Sequence, residues 1–264
     1  MERLSASKYR NCFILKGGML ISAMVGIDSR ATMDIDTTLR NYPLNCESAE
    51  QIVRQIADVE IDDKISFVIK KTEEIMEDSE YQGVRLSLDA YLDKTRIPLK
   101  IDISTGDVIT PCEISFSYQL MFENRTIPLL AYPPETVLAE KLETILSRGE
   151  ANTRLRDFYD VYILQREDFV VTPDALRYAL LATCRTRGHE DLLHTYASIL
   201  DGVRQSDAMR TQWMKYQTDF DYAAGITWDT VLDTVETLCM KTLDDHAFGD
   251  ELPQEESQFE MHLL

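Results

Sequence analysis

Residues 30–39 read Arg-Ala-Thr-Met-Asp-Ile-Asp-Thr-Thr-Leu and alternate between polar and apolar side chains. An alternation with a period of two is typical of a β-strand with one buried face. In such a strand Asp34 and Asp36 lie on one face, roughly 7 Å apart along the chain, while Met33 and Ile35 lie on the other. Two carboxylates that close repel each other unless a cation lies between them. The stretch therefore predicts an acidic pair displayed on a strand with an apolar underside.

A glycine pair lies upstream, in Lys16-Gly17-Gly18, and the spacing after it predicts a helix over residues 19–25. Because glycine has no Cβ, such a turn can bring backbone N–H groups against a phosphate, and the N-terminus of the helix favours the anion. Lys16 and Ser22 are the nearby polar side chains that could add contacts. The alternative interpretation is a plain turn, since a glycine pair alone is a weak motif.

Apolar periodicity divides the chain into an α/β lobe, residues 1–130, and a helical lobe, residues 131–245. Residues 246–264 read as a disordered acidic tail. Strands are predicted at 31–39, 65–70, 84–92 and 97–104, and 13–15 reads as a short strand or a helix end. Helices are predicted at 19–25, 48–58 with a capping box from Ser48 to Gln51, 134–146, 155–164, 173–187, 189–205, 207–219 and 228–243. A cleft between the lobes is the expected ligand site.

The composition argues against several kinds of site. At 264 residues, with 44% hydrophobic and 28% charged residues and no apolar run of transmembrane length, the chain reads as a globular protein of the cytoplasm. The five cysteines include no Cys-x-x-Cys pair and no histidine precedes His189, which disfavours a disulfide framework, a zinc finger and a histidine-based triad.

The net charge of −19 is uneven, because residues 188–264 hold sixteen acidic but only four basic side chains. An acidic surface repels nucleic acid, so such a substrate is expected to approach the segment 141–187. Ordinary solubility explains the acidity equally well.

A third carboxylate, Asp102, lies on the polar face of the predicted strand 97–104. A glycine pair, an Asp-x-Asp strand and a lone aspartate on a later strand form the pattern of a nucleotidyltransferase. In that chemistry metal ions bridge the carboxylates, lower the pKa of an attacking hydroxyl and neutralise the departing pyrophosphate. We expect Mg²⁺ held by Asp34, Asp36 and Asp102, with Asp102 as the third ligand or the general base. The alternative is three exposed aspartates on strand faces that must meet water anyway.

A second group of charged residues lies on two predicted helices. Asp157 and Asp160 are three residues apart and therefore share a helix face, flanked by Arg156, while Lys141 lies on the preceding helix. In the functional interpretation Lys141 binds the nucleotide phosphates, and Asp157 orients Lys141 or the incoming nucleophile. An interhelical ion-pair network is the alternative and the commoner use of such residues.

Five motifs in order resemble the AbiEii/AbiGii nucleotidyltransferase toxins, the toxin half of type IV toxin–antitoxin and phage-defence systems. The motifs are Phe13-Ile-Leu-Lys-Gly-Gly-Met19, Arg30-x-Thr32-x-Asp34-Ile-Asp36, Lys100-Ile-Asp102-Ile, Ala139-Glu-Lys141-Leu and Arg156-Asp157-Phe-Tyr-Asp160-Val. The resemblance implies an α+β fold in which a mixed-sheet nucleotidyltransferase domain precedes a helical bundle. It also implies Mg²⁺-dependent transfer of a nucleotide from an NTP, in some members onto the acceptor end of tRNA, which blocks translation. A separately encoded antitoxin would be the protein partner.

The resemblance assigns Gly17 and Gly18 to the phosphate loop, Asp34 and Asp36 to the metal pair, and the third acidic role to Asp102 or Asp157. Together with the residue patterns it predicts the catalytic set Asp34, Asp36, Asp102, Lys141 and Asp157. The predicted nucleotide-binding set is Lys16, Gly17, Gly18, Ser22, Arg30, Lys141 and Arg156.

Three hypotheses follow. The first is an RNA-directed nucleotidyltransferase toxin, with tRNA among its acceptors. The second keeps the chemistry but modifies a small-molecule or protein hydroxyl, and the acidic C-terminal third favours it more than the motifs do. The third is an interaction protein that binds nucleotides without turnover. All three predict binding of NTP and Mg²⁺, so only the acceptor separates them.

Overall fold

The computed structural model describes residues 1–76, 82–121, 123–166 and 171–243. Its strands are β1 Phe13–Lys16, β2 Asp34–Leu39, β3 Ile65–Met76, β4 Gln82–Leu92, β5 Thr95–Ser104, β6 Ile114–Gln119 and β7 Thr126–Ala131. Its α-helices are α1 Glu2–Ala6, α2 Gly17–Val25, α3 Cys46–Ala57, α4 Pro134–Arg148, α5 Leu155–Leu164, α6 Pro173–Thr186, α7 Leu192–Gln205, α8 Asp207–Asp219 and α9 Trp228–Leu243. The predicted acidic tail, residues 246–264, lies outside the described residues.

One mixed sheet contains these strands in the order β3-β4-β5-β2-β1-β7-β6. The strand β2 runs parallel to β5 and antiparallel to β1, and β1 runs parallel to β7. All four residues of β1 are buried, as expected for a central strand covered on both faces. The predicted α+β class, with a mixed sheet followed by helices, is therefore confirmed.

The sheet and the helices that follow it share one hydrophobic core. Leu20 and Ile21 of α2, Leu142 of α4 and Phe158 of α5 are fully or almost fully buried in the same cluster as the strand β1. Pro133 and Pro134 start α4 directly after β7, because proline suits the first turn of a helix. Within the described ranges, no helix is both long enough and apolar enough to cross a membrane.

Several predicted elements need correction. The strands β6 and β7 were not predicted, because β6 is only half-buried on alternate residues and β7 contains Pro128. The strand β3 continues to Met76 instead of ending at residue 70, and α7 begins at Leu192 instead of residue 189. The short helix α1 was also missed.

The start of α3 differs from the predicted Ser48–Gln51 capping box, which was wrong. The helix begins at Cys46, the side chain of Asn45 accepts from the Ser48 N–H at 2.9 Å, and the Asn45 N–H donates to the Ser48 hydroxyl at 3.1 Å. Ser48 is therefore the third helical residue, and Asn45 satisfies one of the N–H groups that the helix leaves open.

Replacing this cap tests its contribution to the fold. Asn45→Ala is expected to lower the free energy of unfolding by about 1 kcal/mol, because the Ser48 N–H loses its acceptor. Urea denaturation measures the change, with Asn124→Ala in an exposed loop as the control. An equal effect of the two substitutions would contradict the assigned cap.

Candidate active site

Four charged residues form a row across neighbouring strands of the sheet. Arg85 of β4 lies opposite Asp102 of β5, Asp102 lies opposite Asp36 of β2, and Asp36 lies opposite Lys16 of β1. Residues that face each other in neighbouring strands point to the same side of a sheet. The row therefore places two adjacent carboxylates between two cations.

Gly17 follows this row directly and approaches Asp36 closely. Its φ of +63° is in the left-handed region, and a Cβ built on it would lie 2.2 Å from Asp36 Oδ2. A side chain at residue 17 would displace the carboxylate, so the turn requires glycine on two grounds. The N–H of Gly18, the next residue, donates a hydrogen bond to the carboxylate of Asp36. The predicted phosphate turn and the predicted metal ligand are therefore in contact.

Asp36 carries a negative charge that its neighbours only partly compensate. Burial raises the pKa of its carboxyl, and the neighbouring charge of Asp102 raises it further. Lys16 and Lys141 act in the opposite direction but do not cancel the shift. A bound cation or a proton would stabilise this site.

Asp102 is held by Arg85 in a two-pronged ion pair. The Nε and Nη2 atoms of Arg85 donate to the two oxygens of Asp102 at 2.8 and 2.6 Å. Such pairing occupies both carboxylate oxygens and fixes their orientation. The residue lies where it was predicted to lie, but its oxygens are already engaged.

Asp34 shares the face of Asp36 on β2, lies opposite Lys100 of β5 and is half-buried. It lies outside the walls of the two cavities described below. Its negative charge contributes to raising the pKa of Arg85, so the two side chains are near each other.

Lys141 joins the helices to this site through a chain of buried charges. Its Nζ lies 2.5 Å from Asp157 Oδ1 and 3.1 Å from Asp160 Oδ2, and Arg30 Nε donates to Asp160 Oδ1 at 2.7 Å. Burial alone would lower the pKa of Lys141, but the charges of Asp157 and Asp160 outweigh burial and raise it. The ion-pair network considered as the alternative is thus present, and it orients Lys141.

Two cavities meet at these residues. The first has a volume of about 530 Å³ and is lined by Gly17, Gly18, Arg30, Asp36, Lys141, Thr153, Arg154, Leu155, Arg156, Asp157, Gln212, Lys215, Tyr216, Asp219 and Phe220. The second, of about 470 Å³, is lined by Lys16, Gly17, Asp36, Ile75, Arg85, Asp102, Val137, Glu140, Lys141, Thr144, Arg154, Asp157 and Arg187. Their shared wall is Gly17, Asp36, Lys141, Arg154 and Asp157.

The predicted site residues differ in which cavity they line. Only the first cavity is lined by Gly18, Arg30 and Arg156, only the second by Lys16 and Asp102, and both by Gly17, Asp36, Lys141 and Asp157. The guanidinium of Arg30 is 1% exposed, and it stabilises the wall of the first cavity through its ion pair with Asp160. Ser22 is buried in α2 and lies in neither wall. Direct contact of either residue with a nucleotide stays a prediction.

Lys16 anchors the glycine turn through Asp107, which was not predicted. One oxygen of Asp107 accepts from Lys16 Nζ at 2.9 Å, from Ser104 Oγ at 2.6 Å, and from the hydroxyls of Thr38 and Tyr132. The carboxylate thus ties together the ends of β1, β2 and β5 and the residue that follows β7. In the sequence Asp107 is a lone aspartate in a loop, without a motif that would indicate this role.

The other wall residues that were missed come from distant parts of the chain. Arg85 and Arg187 line the second cavity, and the face of α8 lines the first. The cations of the second cavity carry acidic partners: Arg187 contacts Glu140 and Glu143, as Arg85 contacts Asp102.

The residues present fit a divalent cation on two carboxylates more readily than on three. Among the described residues, no three His, Cys, Asp or Glu side chains are grouped so as to hold a metal ion. Arg85 occupies the oxygens of Asp102, whereas Asp34 and Asp36 share a face and Asp36 carries uncompensated charge. Mg²⁺ commonly binds through one or two carboxylates plus substrate phosphates.

The buried Asp107 gives the turn a defined dependence on pH. Burial alone would raise its pKa, but the charge of Lys16 and the donated hydrogen bonds lower the pKa to about 2. The stability that the charged form contributes is present above the unfolded pKa, near 3.8, and is lost as pH falls through about 2. Asp107→Asn is expected to cost about 2 kcal/mol near neutral pH, and the difference should shrink below about pH 4.

Urea denaturation of both proteins from about pH 7 to about pH 3 measures this change. The control is Asp201→Asn, on the exposed side of α7. A difference between wild type and Asp107→Asn that stays constant over this range would contradict the role of the charge.

Comparison with known proteins identifies a family and structures of similar fold. The model of the AbiEii nucleotidyl transferase toxins of type IV toxin–antitoxin systems matches residues 1–234. A structure from H. pylori assigned as a nucleotidyltransferase is 14% identical, with a TM-score of 0.48 over 94% of this chain and 93% of that chain. The structure of the protein JHP933 from Helicobacter pylori is also 14% identical, with a TM-score of 0.48 over 92% of this chain and 89% of that chain. No curated protein matches. Because the family model spans most of the sequence, the chain belongs to the AbiEii nucleotidyltransferase toxin family.

Proposed function

We propose that this nucleotidyltransferase uses Mg²⁺ and an NTP to transfer a nucleotide onto an RNA hydroxyl, with the 3′ end of tRNA as the acceptor. The observation that carries the proposal is the position of Asp36. It lies against the Gly17-Gly18 turn and beside Lys141, where the two cavities meet. A phosphate group at this junction can be reached from both cavities, as transfer between two substrates requires.

The first cavity is the better site for the triphosphate. It contains the glycine turn, Lys141 and the exposed Arg156, for which the structure gives no acidic partner among the described residues. Arg156 and the backbone N–H groups of the turn are therefore available to a polyanion, whereas Lys141 is paired with Asp157 and Asp160 and lines both cavities. The cations Arg85 and Arg187 of the second cavity already have acidic partners, so the acceptor hydroxyl enters there.

In this assignment Asp34 and Asp36 hold Mg²⁺ together with the phosphates. The metal supplies charge neutralisation of the triphosphate and a lower pKa for the attacking hydroxyl. Lys141, oriented by Asp157, contacts the phosphates, and Lys16 with Asp107 fixes the turn. We assign Asp102, which is paired with Arg85, to placing a second negative charge beside Asp36.

The acceptor hydroxyl attacks the α-phosphorus and forms the new P–O bond, its proton is released to water, and the bond from the α-phosphorus to the bridging oxygen breaks so that pyrophosphate leaves with the electron pair. Transfer to tRNA blocks translation, which accounts for toxicity, and a cognate antitoxin restrains the enzyme. We place the reaction in the cytoplasm, where NTPs and tRNA are found.

A second candidate is transfer to a small-molecule or protein hydroxyl. The acidic C-terminal third and the paired cations of the second cavity favour it, because both weaken attraction for an RNA backbone. The third candidate is a protein that binds nucleotides without catalysing their transfer.

Labelled NTPs separate the candidates. Each of the four is incubated with Mg²⁺ and total RNA, tRNA, small-molecule extract or no acceptor, using wild type, Asp34→Asn and Asp36→Asn. We expect label on tRNA, a loss of at least about a hundredfold in both variants, and loss on chelation that added Mg²⁺ reverses.

The matched control is Asp28→Asn, an exposed aspartate shortly before β2, which should retain wild-type transfer. Label only on small molecules or protein would support the second candidate. Bound NTP without transfer to any acceptor would support the third, and transfer by Asp36→Asn at the wild-type rate would contradict the assigned metal site.

A further inference from the structure

The helix α8 forms one wall of the first cavity, although none of its residues belongs to a motif described above. The wall consists of Gln212, Lys215, Tyr216 and Asp219 from α8 and Phe220, which follows it. Residues at this spacing lie on one face of a helix. This face lines the same cavity as the glycine turn and Lys141.

Gln212 is half-buried in this wall and has no structural use within the described part of the chain. The structure gives its side-chain amide no hydrogen-bond partner there, whereas the amide of Gln217 in the same helix donates to the carbonyls of Ala223 and Ile226. An amide in a cavity wall that has no protein partner can hydrogen-bond to water or to a ligand. Gln217 therefore stabilises the fold, and Gln212 is available to a ligand.

Aromatic rings distinguish this cavity from the other. Tyr216 and Phe220 both line it, with ring centroids 4.7 Å apart, and Phe220 stacks on Tyr222 at 5.4 Å. Tyr216 is buried and its hydroxyl contacts that of Tyr222, whereas Phe220 is only half-buried, so Phe220 is the more exposed of the two rings in this wall. No aromatic residue is among those that line the second cavity in the described structure.

Together these features match a nucleoside. Aromatic faces stack on any base, and an amide carries both a donor and an acceptor that can pair with the edge of a base. A cavity of about 530 Å³ is within the usual size for a small-molecule ligand. With the triphosphate on the glycine turn, the base extends toward α8.

We propose that the α8 wall is the nucleobase subsite, in which Phe220 stacks on the base of the NTP and the Gln212 amide reads its edge. Gln212 then determines which NTP the enzyme prefers. This inference rests on the proposed function, because it assumes that the triphosphate occupies the first cavity.

Binding measurements test the subsite apart from catalysis. Calorimetry with the four α,β-methylene NTPs, which cannot be transferred, and with inorganic tripolyphosphate is performed in Mg²⁺ on wild type, Gln212→Ala, Phe220→Leu and the control Gln205→Ala. Gln205 is exposed at the end of α7, outside both cavities.

We expect wild type to prefer one base by about tenfold or more, as expected when a site hydrogen-bonds its ligand. Gln212→Ala should bring the preferred NTP to within about twofold of the others, and Phe220→Leu should weaken all four by about tenfold. Tripolyphosphate affinity should stay unchanged in both variants, which also shows that they are folded. Gln205→Ala should behave as wild type.

These measurements distinguish a failure of the proposed subsite from a failure of the proposed function. Equal binding of all four NTPs by wild type, or an unchanged base preference in Gln212→Ala, would overturn the subsite while leaving the proposed function intact. If wild type binds neither an NTP nor tripolyphosphate, the proposed function fails and the subsite fails with it.

Discussion

The site depends on a buried chain of charges, Arg30, Asp160, Lys141 and Asp157, which joins the segment before β2 to the helices α4 and α5. Arg30 and Asp160 are 1% and 0% exposed, so loss of the Asp160 carboxylate would leave the Arg30 guanidinium without its acidic partner in the interior. Breaking such a pair on one side typically costs about 3–5 kcal/mol. The chain fixes the ammonium of Lys141 beside Asp36 and Gly17, although Lys141 belongs to the helix α4 and Asp36 to the strand β2, which are far apart in the sequence.

The row of charged residues across the sheet, from Arg85 through Asp102 and Asp36 to Lys16, lies where the two cavities meet. Asp102 is neutralised by Arg85, yet its proximity still raises the pKa of Asp36. Burial and the like charge of Asp102 disfavour the ionised carboxylate of Asp36 when no cation is bound. A bound cation would remove this cost. Lys141 on one side and the glycine turn on the other then offer positive charge and N–H groups to a polyanion. The same arrangement should therefore bind a cation and a triphosphate together more tightly than it binds either of them alone.

Local sequence patterns predicted the parts of the site that lie within one element. The alternation in residues 30–39 placed Asp34 and Asp36 on one face, and the three-residue spacing placed Asp157 and Asp160 on one face of α5. The glycine turn was predicted, but the contact of Gly17 with Asp36 depends on the pairing of β1 with β2. Arg85 was likewise missed as the partner of Asp102, because their contact depends on the register between the strands β4 and β5. Arg187 and the α8 wall carry no local signal, since only the packing of the helices brings them to the cavities, and Asp107 was missed because its partners lie at the ends of separate strands.

The most direct measurement is a crystal structure with Mn²⁺ and a non-transferable NTP analogue, using anomalous scattering to locate the metal. The account predicts an anomalous peak within coordination distance of Asp34 and Asp36, with the triphosphate along Gly17 and Gly18 and in contact with Lys141. A metal bound away from Asp36, or a triphosphate held by Arg85 and Arg187 in the second cavity, would contradict it.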